Sequence, residues 1–142
     1  MLLSFMVGSL FAANADVGDT WEEGTGGGLT FSTRYYFTLK IVSTSPRQCV
    51  IESYSGPKDE GLSWEGDVKF EASYSHGLVS YDVVGIEPRA FAGAKITSVD
   101  FEDASNLTYI GDYAFNNCTN LATISLSNAT NLTSIGNYAF SG

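Results

Sequence analysis

The feature that most constrains this chain is a heptapeptide written more than once. Residues 109–115 read YIGDYAF and residues 134–140 read SIGNYAF, with a weaker copy, GIEPRAF, at 85–91. Ile86, Ile110 and Ile135 are matched positions, 24 and then 25 residues apart. The pairs Ala90-Phe91, Ala114-Phe115 and Ala139-Phe140 match in the same way. A second set runs between them. Ile96-x-x-Val99-x-Phe101 corresponds to Leu121-x-x-Ile124-x-Leu126, and FEDASNLTYI then aligns with LSNATNLTSI without a gap. The one-residue difference in length falls between Phe91 and Ile96, where a turn tolerates insertion. The C-terminal part of the chain is therefore expected to be built from stacked copies of one unit.

A period of 24 to 25 residues with apolar-x-x-apolar-x-apolar at its centre is the pattern of a leucine-rich repeat. The physical reason lies in strand geometry. Ile124 and Leu126 are two apart, so both point inward, and Thr123, Ser125 and Ser127 point outward. Each unit offers one thin apolar layer and must stack on a neighbour to bury it. Asn106, Asn120 and Asn131 are expected at turns, where Asn tolerates unusual backbone angles, and Gly111 and Gly136 at another bend.

Upstream the period changes to two. Leu29, Phe31, Tyr35, Phe37, Leu39 and Ile41 all fall on odd positions, with Thr30, Ser32, Arg34, Thr38 and Lys40 between them. That predicts a strand over 29–43 with one buried face. STSPRQ predicts a turn, with Pro46 presetting one backbone angle, and CVIESY a returning strand. SGPKDEGLSWEG predicts a loop. Residues 67–74 alternate again, with Val68, Phe70, Ala72 and Tyr74 on one face. SHG predicts a hairpin turn, and 78–84 the returning strand.

The N-terminus opens with an apolar run from Leu2 to Ala12, then Ala13-Asn14-Ala15 and Asp16. That is the core and small-x-small cleavage site of a signal peptide, too short to span a bilayer. It lacks the preceding Lys or Arg of a full signal. DVGDTWEEGTGGG then reads as a flexible leader. The chain carries 7 basic and 16 acidic residues, a formal charge of -9. This argues against nucleic acid, which needs clustered Lys and Arg, and against an anionic membrane surface. Export would allow Cys49 and Cys118 to join, but their placement favours two buried small apolar residues.

IGDYAFNNCTNLATISL resembles the BspA-like, or Treponema pallidum-type, leucine-rich repeat. Ile110, Gly111, Ala114, Phe115, Cys118, Leu121 and Ile124 match its pattern residue by residue. The first unit departs from it: Glu87-Pro88 stands where Gly is expected, and its Cys is missing. The family's Pro after the strand is also absent. Upstream, GDVKF and YDVVGI resemble the segment before the first repeat in such proteins of gut and oral Bacteroidales. The resemblance implies that Cys118 is a buried spine residue. It also implies an exported or surface protein, several relatives being implicated in adhesion.

The expected fold is a leucine-rich-repeat solenoid, a right-handed superhelix of short strands and turns, preceded by a hairpin-rich N-terminal cap. The divisions are a signal peptide (1–15), a flexible leader (16–28), a β-rich cap (29–84) and the repeats (85–142). The repeats comprise two full units and the start of a third, an uncapped end that reads as a truncation.

Aligning the expected strands gives the candidate site. Asp67, Ser98 and Thr123 form one outward row, Lys69, Asp100 and Ser125 a second, and Glu71, Glu102 and Ser127 a third. Successive rungs should lie about 4.8 Å apart, and repeat proteins bind through such extended faces. The partner expected is a host or neighbouring-cell surface protein or glycan, with no nucleic acid and no membrane insertion after signal removal. An aromatic platform on this ladder would favour glycan, and there is none. Asp100, Glu102 and Asp103 lack the spacing of a calcium loop, so no metal is expected. No enzyme or cofactor is expected either. His76, the one histidine, falls in a predicted turn, and Gly26-Gly27-Gly28 lacks the Lys-Ser/Thr of a phosphate loop. Asn106, Asn117, Asn128 and Asn131 spell glycosylation sequons, expected to be unused if the source is bacterial.

Overall fold

The structure is a computed structural model that describes residues 16–25, 35–56 and 66–142. The expected signal peptide lies outside these residues, as do 26–34, with the first half of the strand predicted over 29–43, and most of the predicted loop, 57–65.

Ten strands are present among the described residues. β1 (Thr20–Thr25), β2 (Tyr35–Thr44) and β3 (Arg47–Gly56) form an antiparallel meander. The β2–β3 turn is made by Ser45 and Pro46, joined by a cis peptide bond. Phe37, Leu39 and Ile41 are fully buried, as the period-two pattern predicts. β1 corrects the flexible leader. Thr20–Thr25 pairs with β2 along its whole length, from Thr20 opposite Lys40 to Thr25 opposite Tyr35. Trp21 gives that pairing an apolar anchor: its ring packs 5.1 Å from His76 and 5.8 Å from Tyr81.

The alternation over 67–74 proves to be two strands rather than one. β4 (Gly66–Lys69) belongs to one sheet and β5 (Ser73–His76) to another. Val68, Phe70 and Tyr74 are all buried, so one continuous pattern conceals the break at 70–72. β5 returns as β6 (Val79–Ile86) through Gly77 and Leu78, with His76 opposite Val79. The turn lies one residue later than SHG suggests, because Gly77, not His76, takes the positive φ (64°).

From β6 onward each repeat contributes to two sheets. β3, β6, β8 (Tyr109–Ile110) and β10 (Ser134–Ile135) pair in parallel along one side, with Ile86, Ile110 and Ile135 in register. β4, β7 (Ile96–Asp100) and β9 (Thr123–Ser125) pair in parallel along the other. Backbone bonds between them stitch rung to rung. Phe91 N donates to Ala114 O (2.8 Å) and, one rung on, Phe115 N to Ala139 O (2.7 Å).

The core is a pair of aromatic columns. Tyr54, Phe91, Phe115 and Phe140 follow one another at ring separations of 5.3, 5.0 and 5.2 Å. Phe70 stacks on Phe101 at 4.9 Å, and the two columns meet edge-to-face at Phe70–Phe91 (5.5 Å) and Phe101–Phe115 (6.3 Å). Each such pair adds about 0.5–1.5 kcal/mol beyond its buried area. Phe70 thus joins the upstream strands to the repeats, touching Phe37 at 6.1 Å as well. Cys49 and Cys118 are buried free thiols, and Cys118 Sγ points at the Phe91 carbonyl of the preceding rung (3.1 Å).

Candidate functional site

The parallel sheet β4–β7–β9 brings the first two candidate rows into register. Asp67 lies opposite Ser98 and Ser98 opposite Thr123; Lys69 lies opposite Asp100 and Asp100 opposite Ser125. Between the rows Val68 and Val99 turn inward and are buried, while Ile124 on the last rung is 37% exposed. Glu71, Glu102 and Ser127 lie beyond the strand ends, so the third row is a set of turn residues rather than a paired rung.

The outward side chains bond to one another along the face. Ser98 and Thr97 donate their hydroxyls to Asp67 Oδ1 at 2.5 and 3.0 Å. These bonds, Ser98 first, hold the Asp67 carboxyl below the usual carboxylate range. Lys69 Nζ lies 2.6 Å from Asp103 Oδ2, a bond and an attraction that raise the lysine's pKa. Asp100 Oδ1 accepts from Glu102 N (2.7 Å), tying off the strand's end, and Ser125 donates to Glu102 Oε1 (3.3 Å). The face is polar, preorganised and acidic, with one lysine set among carboxylates. Among the described residues no three His, Cys, Asp or Glu side chains stand close enough to hold a metal ion. His76 is half-buried at the end of β5 against Trp21, rather than in a solvated turn.

A second ladder, on the turn side, was not legible in the sequence. Arg89, Tyr113 and Tyr138 are matched positions three residues after Ile86, Ile110 and Ile135, and all three are left-handed, with φ of 64°, 58° and 56°. This region costs a non-glycine residue about 1–2 kcal/mol, and bulky side chains are seldom found there. Here the three side chains form a column. The Arg89 guanidinium lies 4.8 Å from the Tyr113 ring centre, and Tyr113 stacks on Tyr138 at 5.2 Å and 16°.

Two expectations about backbone geometry change accordingly. Asn106, Asn120 and Asn131 do not take positive φ; among the asparagines that falls to Asn117 (57°). Asn131 instead donates its amide to the Ser105 carbonyl of the rung before (2.8 Å). Gly111 and Gly136 also avoid the left-handed region; glycine is needed there because the preceding rung passes too close for a Cβ.

Parallel rungs of about 25 residues, each contributing a strand to two sheets around an aromatic spine, define a leucine-rich-repeat fold. The family model described as "BspA type Leucine rich repeat region (6 copies)" matches residues 79–142, and through that region the chain belongs to the BspA-type leucine-rich-repeat proteins. No curated protein matches the chain. Among solved structures, a leucine-rich repeat protein from Bacteroides capillosus is similar at 28% identity with a TM-score of 0.57. The match covers 73% of this chain and 69% of that one. A leucine rich cell surface protein from Faecalibacterium prausnitzii is similar at 26% identity with a TM-score of 0.54, over 83% of this chain. This chain spans 27% of that protein's length.

Proposed function

We propose that the protein is a non-enzymatic recognition module of an exported or cell-surface protein. It binds a protein or glycan of a host or neighbouring cell, in adhesion, and needs no cofactor. In this reading the rungs continue as a right-handed solenoid, and the upstream hairpins cap its first turn. The observation that carries it is the outward ladder of Asp67, Ser98 and Thr123 beside Lys69, Asp100 and Ser125. Three chemically different polar rungs are held in register on a sheet face by their own bonds. Such a face costs little ordering entropy when a partner arrives. Similarity to a leucine rich cell surface protein supports the surface location.

A second reading, a spacer or accessory repeat region within a larger surface protein, is favoured by the exposed apolar side chains of the last rungs. Ile124, Ile135 and Tyr138 are 37%, 49% and 64% exposed. The two readings separate in a binding survey of labelled protein against matrix proteins, mucins and glycans. It is run beside a variant carrying Lys69→Ala, Asp100→Ala, Glu102→Ala and Ser125→Ala. Saturable binding lost in the variant establishes recognition by the ladder. Absence of binding, or equal binding by both, removes the ladder as the site and leaves the spacer.

A further inference from the structure

We propose that the Arg89–Tyr113–Tyr138 column is a separate binding strip, and that its ligand is a polysaccharide bearing carboxylate groups. Three left-handed positions hold Arg and Tyr where Gly or Asn fits without strain. The strain is the same in each unit, and the side chains it carries meet one another rather than the core. Strain of this kind collects at functional sites.

The chemistry of the strip favours an anion. Tyr113 has one face taken by Arg89 and the other by Tyr138, so the column turns its ring edges outward. The edge of an aromatic ring is its electropositive part, and each phenol adds a hydroxyl donor. Arg89 is exposed, and among the described residues no carboxylate lies within ion-pairing distance of it. Its planar fork, already stacked, suits bidentate capture of a carboxylate. The nearby acids are engaged elsewhere. Glu87 accepts the Tyr109 hydroxyl (2.5 Å), and Asp112 accepts the backbone N–H of Asn137 (2.6 Å). The chain's charge of -9 opposes any polyanion. That repulsion is screened beyond about 8 Å at physiological salt, so the contact depends on the local groups.

The spacing separates a glycan from a peptide. Successive tyrosines recur at 5.2 Å. Side chains on one face of an extended peptide recur every second residue, about 6.6 Å apart, and fall out of step after one rung. An extended chain of pyranose rings advances by close to one rung per sugar and stays in step.

The test uses the full chain with polygalacturonate at physiological salt. Fully methyl-esterified polygalacturonate serves as the neutral form of the same polymer, and polyglutamate as an acidic peptide. Asn accepts the left-handed conformation, so Arg89→Asn and Tyr113→Asn keep the fold, which a thermal melt checks. The expected result is saturable binding of polygalacturonate, weakened at least tenfold by Arg89→Asn and severalfold by Tyr113→Asn. Arg89→Lys, which keeps the charge but not the planar stack, also weakens it, and the methyl ester binds poorly. No binding of polygalacturonate, or binding unchanged in the Asn variants, overturns the proposal. Equal binding of polyglutamate reduces it to general attraction of anions and overturns it too. Binding lost in the strand-ladder variant but kept in the Asn variants places the site on the ladder and leaves that reading standing without this one.

Discussion

Gly111→Ala is the substitution that most directly tests how the rungs stack. A Cβ at Gly111 would stand 2.5 Å from Pro88 N, 2.8 Å from Glu87 C and 2.9 Å from Ile86 O, all backbone atoms of the preceding rung. Non-bonded heavy atoms rest at about 3.5–4.0 Å, so the two rungs must part by about 1 Å. Three backbone bonds cross that gap: Gly111 N to Ile86 O (2.8 Å), Arg89 N to Asp112 O (3.0 Å) and Phe91 N to Ala114 O (2.8 Å). A parting of that size takes the nearest bond well beyond the ~3.2 Å limit for a good bond. One bond lost leaves buried groups unsatisfied at about 1–3 kcal/mol, and overpacking adds about 1–3 kcal/mol. The sum is roughly 3–5 kcal/mol, a large part of a domain's usual 5–15 kcal/mol or so. The control is Gly93→Ala. It too lies in the first repeat's turn, at φ 75°, but its Cβ would meet nothing within 4 Å. Its cost is the left-handed strain alone, about 1–2 kcal/mol. Urea and thermal unfolding of both variants, followed by circular dichroism, give the comparison. At about 3–6 °C per kcal/mol for a chain of this size, Gly111→Ala should melt at least 10 °C lower. A fall of less than 3 °C, or one no larger than that of Gly93→Ala, would refute close rung approach as the reason for glycine.

Phe115→Ala removes a fully buried ring that touches Phe91, Phe101 and Phe140, and should cost about 3–5 kcal/mol; Phe140→Ala, at a half-buried position, should cost visibly less in the same urea titration. Cys49 donates toward the Tyr81 carbonyl (3.7 Å), and burial, then Asp82, pushes its thiol up to about 12. Neither cysteine should therefore react with iodoacetamide at pH 8 until the protein unfolds, as mass spectrometry would show. The Asp67 carboxyl is depressed on folding, so its contribution is complete above the usual carboxylate range and lost as pH falls through its lower folded value. Asp67→Asn should flatten the acid limb of the stability–pH curve slightly and leave neutral stability little changed; an unchanged acid limb counts against the Ser98 bond.

What was legible in the sequence follows from what periodicity encodes. A spacing of 24 to 25 residues fixes which residues share a rung, so the rows Asp67–Ser98–Thr123 and Lys69–Asp100–Ser125 could be written down without coordinates, and their register is as expected. Period two located the buried face of β2 for the same reason. Periodicity cannot say when a strand changes partners. Val68, Phe70 and Tyr74 alternate without interruption because both β4 and β5 face one core, although Lys69 pairs across to Asp100 and Tyr74 to Tyr81. Nor does polarity identify an edge strand. TWEEGT reads as leader, yet it pairs fully with β2, held by Trp21 against residues more than fifty positions away.

The left-handed column was missed for a different reason, and that reason bears on function. Left-handed positions are found in a sequence by looking for Gly and Asn, whose backbones accept them. At Arg89, Tyr113 and Tyr138 the repeat takes the conformation with residues that resist it, so the usual signal is absent where the geometry is most unusual. Offsetting energies explain how the rung holds. A strain of about 1–2 kcal/mol at Tyr113 is met by stacking of about 0.5–1.5 kcal/mol on Tyr138 and about 0.5–1 kcal/mol from Arg89. Tyr113→Gly, which removes both sides of that balance, should therefore change stability by less than about 1 kcal/mol. A loss above 3 kcal/mol on urea unfolding would make the column a structural staple of the fold. A change near zero leaves the tyrosine without a stabilising role, and a side chain kept in a strained position without one has its use at the surface.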